Sequence, residues 1–135
     1  KIVATDISNS VLVQAERRIY SLSKLGQIPE AYRQKYCTII DDKRFEVKRN
    51  ATWAVDFLAF NLLERDYPYR QLDVIFCQNV LIYFRQFERI DILNRMVPCL
   101  RLGGVIVLGS GEVHWSHPSM QRVDAKGILV YARIK

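Results

Sequence analysis

Short apolar runs alternate along the chain with segments in which apolar residues recur every three or four positions. The apolar runs predict strands. The runs at 72–77 and 105–109 are almost continuously apolar, which is typical of parallel strands covered on both faces. The runs at 1–6, 54–61 and 128–133 are also β-prone. The sequence therefore predicts five strands spread over the whole chain.

Apolar residues spaced by three or four positions predict helices between these strands. The first covers about 8–19, with serine and asparagine side chains available to cap its N-terminus. The second is a short helix over 29–36 that has a proline in its first turn. The third covers 86–100, and we expect Gly103-Gly104 to cap its C-terminus.

The segment 36–53 differs from its surroundings, because apolar and polar residues alternate on either side of the acidic pair Asp41-Asp42. This pattern predicts a small antiparallel hairpin with one solvent-exposed face. Strands alternating with helices elsewhere favour an open α/β sheet with helices on both faces. No repeat or long linker divides the sequence, so we expect one domain over 1–135 that carries this hairpin as an insert.

Composition narrows the class of protein. The 135 residues are 50% hydrophobic and 25% charged, which is ordinary for a globular domain and excludes a wholly disordered chain. No apolar run reaches the roughly 18 residues that a membrane span needs. The net charge of +6 has two interpretations: an anionic partner such as nucleic acid, or basic residues that keep a small domain in solution.

Cysteine and histidine usage indicates neither a metal site nor a disulfide framework. Cys37, Cys77 and Cys99 form no Cys-x-x-Cys pair, and the two histidines do not complete a ligand cluster. We therefore expect reduced, buried thiols and a cytoplasmic protein.

Polar residues follow several predicted strands, and in an open α/β sheet the ligand lies beyond these carboxyl ends. Such positions are held by Asp6, Asn61, Gln78-Asn79 and the segment 109–112. A carboxylate at Asp6 suits the hydroxyls of a ribose, although an aspartate there also serves as a helix cap. Asn61 and Asn79 suit either an adenine edge or a turn.

Aromatic residues and a histidine near the strand ends carry weaker signals. By residue type alone, Tyr67 and Tyr83 are core or rim residues, and His114 is a solvated loop residue. The sequence offers no Ser/His/Asp or Cys/His arrangement for nucleophilic catalysis.

Three segments together carry a family resemblance. They are Val3-Ala4-Thr5-Asp6-Ile7-Ser8, Asn61-Leu62-Leu63-Glu64 and Asp73-Val74-Ile75-Phe76-Cys77-Gln78-Asn79-Val80-Leu81-Ile82-Tyr83-Phe84. They resemble, in turn, the Ala-Ser/Thr-Asp-Ile-Asp motif, the Asn-Leu-Leu segment and the Asp-x-Ile-Phe-Cys-Arg-Asn-Val-x-Ile-Tyr-Phe signature of CheR-type chemotaxis receptor methyltransferases. The third is long and specific, and the resemblance extends from Lys1 to the final strand.

The resemblance implies an α/β fold: a Rossmann-like class I methyltransferase sheet in which 36–53 is a small inserted antiparallel β-subdomain. It implies methyl transfer from S-adenosylmethionine, with S-adenosylhomocysteine as the product, to glutamate side chains on the cytoplasmic domain of a chemoreceptor. By position, Asp6 would hold the cofactor ribose, and Tyr83 would be the catalytic residue near the transferred methyl group. The other cofactor-binding positions would be Asn61, Leu62, Gln78 and Asn79.

The chain also departs from the family pattern. Gln78 stands where the family usually has arginine, which removes one cationic contact near the site, and Leu102 replaces a common proline. The turn at Asp41-Asp42 is short and lacks glycine, as in members that do not dock on a receptor's C-terminal pentapeptide. The family's first strand, Gly-rich loop and helical N-terminal domain have no counterpart in the sequence, so we expect a segment of a longer protein.

Two alternatives stay open. A class I methyltransferase acting on nucleic acid is suggested by the positive charge, although the signature at 73–84 argues against it. A non-catalytic or weakly cofactor-binding regulatory or scaffold module of the same fold is suggested by Gln78. We expect no metal, no nucleic-acid partner and no direct membrane insertion.

Overall fold

A computed structural model describes residues 1–109, 111, 113–125 and 127–135. The chain divides into two compact units, residues 1–61 and residues 62–135, and each is described by itself. Ser110 and Glu112, which belong to the predicted site segment 109–112, lie outside the described residues.

The first unit contains a parallel pair of strands and a small antiparallel sheet. Its elements are β1 (Ile2–Asp6), α1 (Asn9–Arg17), β2 (Ile19–Ser21), a 3-10 helix (Leu22–Gln27), α2 (Glu30–Tyr36), β3 (Cys37–Ile39), β4 (Arg44–Val47), α3 (Arg49–Thr52) and β5 (Val55–Ala59). Strand β1 pairs with β5 in register from Ile2 opposite Val55 to Asp6 opposite Ala59. The carboxyl ends of the two strands therefore meet at the same edge.

The antiparallel sheet has three strands in the order β2-β4-β3, so it includes a strand outside the predicted hairpin. The sequence-predicted helix over 8–19 was too long, because Arg18 adopts a left-handed conformation (φ 60°) and Ile19 begins β2. The Arg18 guanidinium donates to the Glu46 carboxylate at 2.8 Å and to the Val47 carbonyl at 3.1 Å. These contacts join the end of α1 to β4. Phe45, only 2% exposed, fills the core beneath the sheet.

The second unit is built on a four-stranded mixed sheet in the order β6-β7-β9-β8. Its elements are β6 (Leu72–Cys77), a 3-10 helix (Leu81–Tyr83), α4 (Gln86–Met96), a 3-10 helix (Val97–Cys99), β7 (Leu100–Leu108), β8 (Met120–Ala125) and β9 (Ile128–Arg133). Strand β7 is parallel to β6 and antiparallel to β9, and β8 forms a hairpin with β9. Strand β8 had no counterpart in the sequence prediction.

The predicted end of the third helix was wrong. Helix α4 ends at Met96, a short 3-10 helix containing Pro98 follows, and β7 begins at Leu100. Gly103-Gly104 therefore lies inside a strand rather than at a helix cap. A Cβ atom on Gly104 would stand 2.7 Å from the Leu72 carbonyl oxygen, so close pairing of β7 with β6 requires glycine there.

The prediction that β6 is covered on both faces was also wrong. Strand β6 is at the end of its sheet, and Val74 and Phe76 are 42% and 74% exposed. The buried core of this unit lies instead among side chains from α4 and β7, with Leu81 added from the turn after β6. Its fully buried aliphatic members are Leu81, Ile92, Leu93, Leu100, Ile106 and Leu108.

Two of the three cysteines occupy the predicted environment. Cys77 and Cys99 are buried, whereas Cys37 is partly exposed, which corrects the expectation for that thiol. Burial raises the pKa of the Cys99 thiol. In the described part of the chain, no helix has the length and apolar character that a membrane crossing requires.

Candidate cofactor site

The parallel pair β1–β5 brings two of the predicted residues to one sheet edge. Asp6 is the last residue of β1, and the Phe60 N–H donates to its backbone carbonyl at 3.0 Å. Asn61 follows directly, so both side chains belong to the carboxyl end of the same strand pair. Asp6 and Asn61 are each partly buried.

The Asp6 carboxylate is held in place by the loop that follows it. Its Oδ1 accepts a hydrogen bond from the Ser8 N–H at 2.8 Å. Ser8 itself occupies the N-cap position of α1, but its side chain makes no capping hydrogen bond and lies instead 2.8 Å from the Ser10 hydroxyl. The carboxylate is thus oriented by one backbone donor. Because a carboxylate offers about four acceptor positions, this arrangement fits a ribose diol as a further donor.

The parallel pair β6–β7 positions a second pair of predicted residues. Cys77 is opposite Leu108 at the carboxyl ends of these strands, and Gln78 Nε2 donates to the Leu108 carbonyl at 3.4 Å. Asn79 adopts a left-handed conformation (φ 59°), which asparagine tolerates better than most residues. Gln78 and Asn79 are exposed, so their amide groups are accessible to a ligand.

Tyr83 is presented by a tight turn after β6. Within the 3-10 helix, the Tyr83 N–H donates to the Val80 carbonyl at 3.2 Å and the Phe84 N–H to the Leu81 carbonyl at 3.0 Å. Leu81 is fully buried, whereas Tyr83 is 81% exposed. The turn is therefore anchored in the core by one residue and displays the phenol two positions later.

Leu62 belongs to a segment that two buried or half-buried side chains hold against α4. The Tyr67 hydroxyl donates to the Leu62 carbonyl at 2.6 Å, and burial raises the pKa of Tyr67 to about 12. Arg95 of α4 donates to the Leu63 and Glu64 carbonyls, the first at 2.9 Å. Its guanidinium also lies 6.0 Å from the centre of the Tyr67 ring. Tyr67 and Arg95 thus fix the backbone of the Asn-Leu-Leu segment from Leu62 onward.

Sequence reasoning identified Tyr67 only as a core or rim residue and did not single out Arg95. The burial of Tyr67 to 7% exposure agrees with a core position, but its hydrogen bond to Leu62 depends on how the loop folds back. Arg95 lies 32 residues from Leu63, so no local pattern relates them. His114 is exposed, whereas the neighbouring Trp115 is buried and donates to the Asn94 side chain at 3.0 Å.

The six predicted residues fall on both units of the chain. Asp6 and Asn61 belong to the first, and Leu62, Gln78, Asn79 and Tyr83 to the second. Asp6 is the last residue of β1, and the other five follow β5 or β6 on loops or turns. Their chemistry is that of hydrogen-bond acceptors and donors for a polar ligand, together with an exposed phenol. Taken unit by unit, the Asp6 carboxylate suits ribose hydroxyls, and the Gln78 and Asn79 amides suit the polar groups of an adenosyl ligand such as S-adenosylmethionine.

The family model described as "CheR methyltransferase, SAM binding domain" matches residues 1–126. The chain belongs to this family. Membership and the likeness in fold confirm the resemblance read from the three motifs, the Rossmann-like fold class and the cofactor class. The chain is 34% identical to "Chemotaxis protein methyltransferase" of Borreliella burgdorferi over 113 residues, which cover 83% of this chain and 40% of that protein.

Other relatives and solved structures agree with this assignment. Identity to "Chemotaxis protein methyltransferase" of Salmonella typhimurium is 34% over 139 residues, covering 100% of this chain and 48% of that protein. The CheR-family chain thus spans less than half the length of these curated relatives. A methyltransferase from Geobacter sulfurreducens shares the fold with a TM-score of 0.57 and 14% identity, covering 100% of this chain and 59% of that one.

Proposed function

We propose that the chain is the cofactor-binding part of an S-adenosylmethionine-dependent methyltransferase that esterifies glutamate side chains on the cytoplasmic domain of a chemoreceptor. The observation that carries the proposal is the family match over residues 1–126. The names of the curated relatives support chemotaxis as the setting. A chemoreceptor's cytoplasmic domain as substrate supports a cytoplasmic location for the protein, in line with the expectation from the sequence that its thiols are reduced.

In this proposal the residues after β1 and β5 bind the cofactor. The Asp6 carboxylate accepts hydrogen bonds from the ribose hydroxyls, while its contact with the Ser8 N–H keeps it oriented. Asn61 and Leu62, which follow β5, are further cofactor-binding residues of the proposal. Gln78 and Asn79, after β6, offer exposed amide groups for cofactor binding. A neutral Gln78 binds the cofactor through its amide hydrogen bonds, without the charge of an arginine.

Methyl transfer to a carboxylate does not require a general base. When bound, S-adenosylmethionine supplies a methyl group made electrophilic by its positive sulfur. A glutamate carboxylate, already ionised at neutral pH, would need no general base: its bond to the methyl carbon would replace the C–S bond, and that bonding pair would stay on sulfur. The protein's tasks are to align oxygen, carbon and sulfur and to exclude water. The proposal assigns to the exposed phenol of Tyr83 the task of orienting the reacting groups.

A short, rigid turn in the antiparallel sheet supports recognition of the receptor without pentapeptide docking. Between β3 and β4 the Asp41 carboxylate accepts hydrogen bonds from the Lys43 N–H at 3.0 Å and from the Arg44 guanidinium at 2.9 and 2.7 Å. The same arginine lowers the pKa of Asp41. We expect receptor fragments with and without their last five residues to be methylated at equal rates.

The proposal is tested by calorimetric titration of S-adenosylhomocysteine into the intact protein and its Asp6→Ala variant. Loss of hydrogen bonds to a charged group costs about 1.5–3 kcal/mol, so the Kd should rise about tenfold or more. The matched control is Asp56→Ala, because Asp56 is an exposed acid near the other end of β5 that pairs with Lys1 at 2.7 Å. Equal losses in the two variants would contradict a ribose site at Asp6.

Methyl transfer is then followed as base-labile methyl ester formed on receptor fragments. The Gln78→Arg variant separates catalysis from the scaffold alternative. We expect the wild-type protein, with glutamine at this position, to be active. Activity that appears only in Gln78→Arg would favour a regulatory module, and a steep salt dependence with nucleic acid as acceptor would favour the other alternative.

A further inference from the structure

We propose that Arg89 is a positioning residue for Tyr83. Its guanidinium donates hydrogen bonds to the two backbone carbonyls that flank the tyrosine, and these bonds set the direction in which the phenol points. The inference rests on the role proposed for Tyr83 and adds a residue outside the family motifs quoted above. It is carried by hydrogen bonds between α4 and the turn that precedes it.

The geometry of the contact is bidentate. Arg89 Nε donates to the Phe84 carbonyl at 2.8 Å, and Arg89 Nη2 donates to the Ile82 carbonyl at 3.3 Å. These two N–H groups lie on one edge of a planar guanidinium and point the same way, so they reach two acceptors at once. The two acceptors are the carbonyls on either side of Tyr83, and holding both restricts rotation of the backbone at the residue between them.

Tyr83 needs such a support because its own side chain has little packing around it. With 81% of its surface exposed, the phenol is not held by neighbouring apolar groups, and its direction depends on the backbone of the turn. Leu81 anchors the beginning of the turn in the core. Arg89 supplies the corresponding anchor at its end.

Helix α4 is rigid enough to act as that anchor. Ile92, Leu93 and Met96 are buried, with at most 4% of their surface exposed, and Leu93 is one helical turn after Arg89. At the start of the helix the Glu88 carboxylate accepts a hydrogen bond from the Arg85 N–H at 2.8 Å. The Arg89 side chain therefore links this packed helix to the backbone on either side of Tyr83.

The test compares Arg89→Met and Arg89→Lys in the intact protein. Methionine keeps an apolar stem without donors, and lysine keeps the charge but has one nitrogen, which cannot reproduce the rigid two-donor edge. The matched control is Arg101→Met. Arg101 is also in the second unit and also donates two hydrogen bonds, but its partners are the Asp73 carboxylate near the start of β6, at 2.6 Å, and the Leu102 carbonyl of β7, at 2.9 Å.

Two readouts distinguish positioning from general stability. In the absence of any ligand, amide hydrogen exchange at 81–84 should become about tenfold faster in Arg89→Met and remain unchanged in Arg101→Met. In the methyl-transfer assay, kcat should fall about tenfold or more in Arg89→Met, with partial recovery in Arg89→Lys, while the Kd of S-adenosylhomocysteine changes by less than about threefold.

A double-variant cycle tests whether the effect of Arg89 on kcat depends on the Tyr83 phenol. If Arg89 acts through Tyr83, then Arg89→Met should lower kcat by less than about threefold when Tyr83 is already phenylalanine. Full additivity, unchanged exchange at 81–84, or equal effects in Arg89→Met and Arg101→Met would each overturn the inference. A wild-type protein that binds no S-adenosylhomocysteine would instead refute the proposed function. The hydrogen-exchange experiment would still decide whether Arg89 holds the backbone at 81–84.

Discussion

Removal of a single hydroxyl group tests whether the segment after Asn61 is held in place by Tyr67. In Tyr67→Phe the aromatic ring stays buried, and its approach to Arg95 is retained. What is lost is the 2.6 Å hydrogen bond from the phenol to the Leu62 carbonyl. The substitution therefore removes this hydrogen bond at the edge of the proposed cofactor site while it keeps the aromatic ring.

The expected loss of stability in Tyr67→Phe depends on how buried the hydroxyl donor is and on whether the Leu62 carbonyl finds another partner. A net contribution of about 0.5–1.5 kcal/mol is usual for a neutral hydrogen bond, and a carbonyl left without a partner adds to the loss. Leu62 is partly buried, so water replaces the donor incompletely. We expect the free energy of unfolding to fall by about 1–2 kcal/mol, and the urea midpoint to fall by roughly 0.5–1 M.

Urea unfolding and calorimetric titration of S-adenosylhomocysteine measure the two consequences in the intact protein. The matched control is Tyr131→Phe, because Tyr131 is equally buried and no hydrogen bond to its hydroxyl is found in the described residues. We expect the control to be nearly neutral and only Tyr67→Phe to weaken binding of the cofactor product. Equal shifts in both variants, or an unaltered midpoint in Tyr67→Phe, would refute the reasoning.

Two further predictions concern stability. The folded-state pKa of Tyr67, about 12, lies above the ordinary value of 10.0, so the folded protein holds this proton more tightly. The resulting stabilisation is complete below pH 10 and is lost between about pH 10 and 12. In urea unfolding, the difference in the free energy of unfolding between wild type and Tyr67→Phe should therefore shrink over that interval. A difference that stays constant with pH would argue against a buried phenol. Gly104→Ala should lower the free energy of unfolding by about 1–3 kcal/mol, because its Cβ would meet the Leu72 carbonyl at 2.7 Å. Gly26→Ala, whose added Cβ would meet no atom within 4 Å, should change it far less, and a similar cost for both would refute the packing explanation.

Local patterns predicted those parts of the fold whose residues are neighbours in sequence. Strand β6 begins and ends at the predicted residues, 72 and 77, because its run of apolar side chains is bounded by polar residues on both sides. The hairpin around Asp41-Asp42 was likewise predicted by alternation across a turn. The signature at 73–84 indicated the family, and the match over residues 1–126 confirmed it.

Other features depend on contacts between distant residues, which no local pattern contains. The end of α1 and the start of β2 depend on Arg18, whose partners in β4 lie 28 and 29 positions away. Gly103-Gly104 is typical of a helix cap by its composition, yet Gly104 serves the close pairing of β7 with β6, where Leu72 lies 32 positions before it in sequence.

Some residues of the proposed function are likewise recognisable from local sequence patterns, and others only from the tertiary structure. The sequence alone determined the identity of Asp6, Asn61 and Tyr83 as candidates, because motifs and strand ends are local properties. Only the tertiary structure revealed the supports: Arg95 on Leu63, at a separation of 32, and Arg89 on the carbonyls beside Tyr83. A guanidinium binds whatever carbonyl the fold brings within about 3 Å, so its partners are decided by packing rather than by its position in the chain.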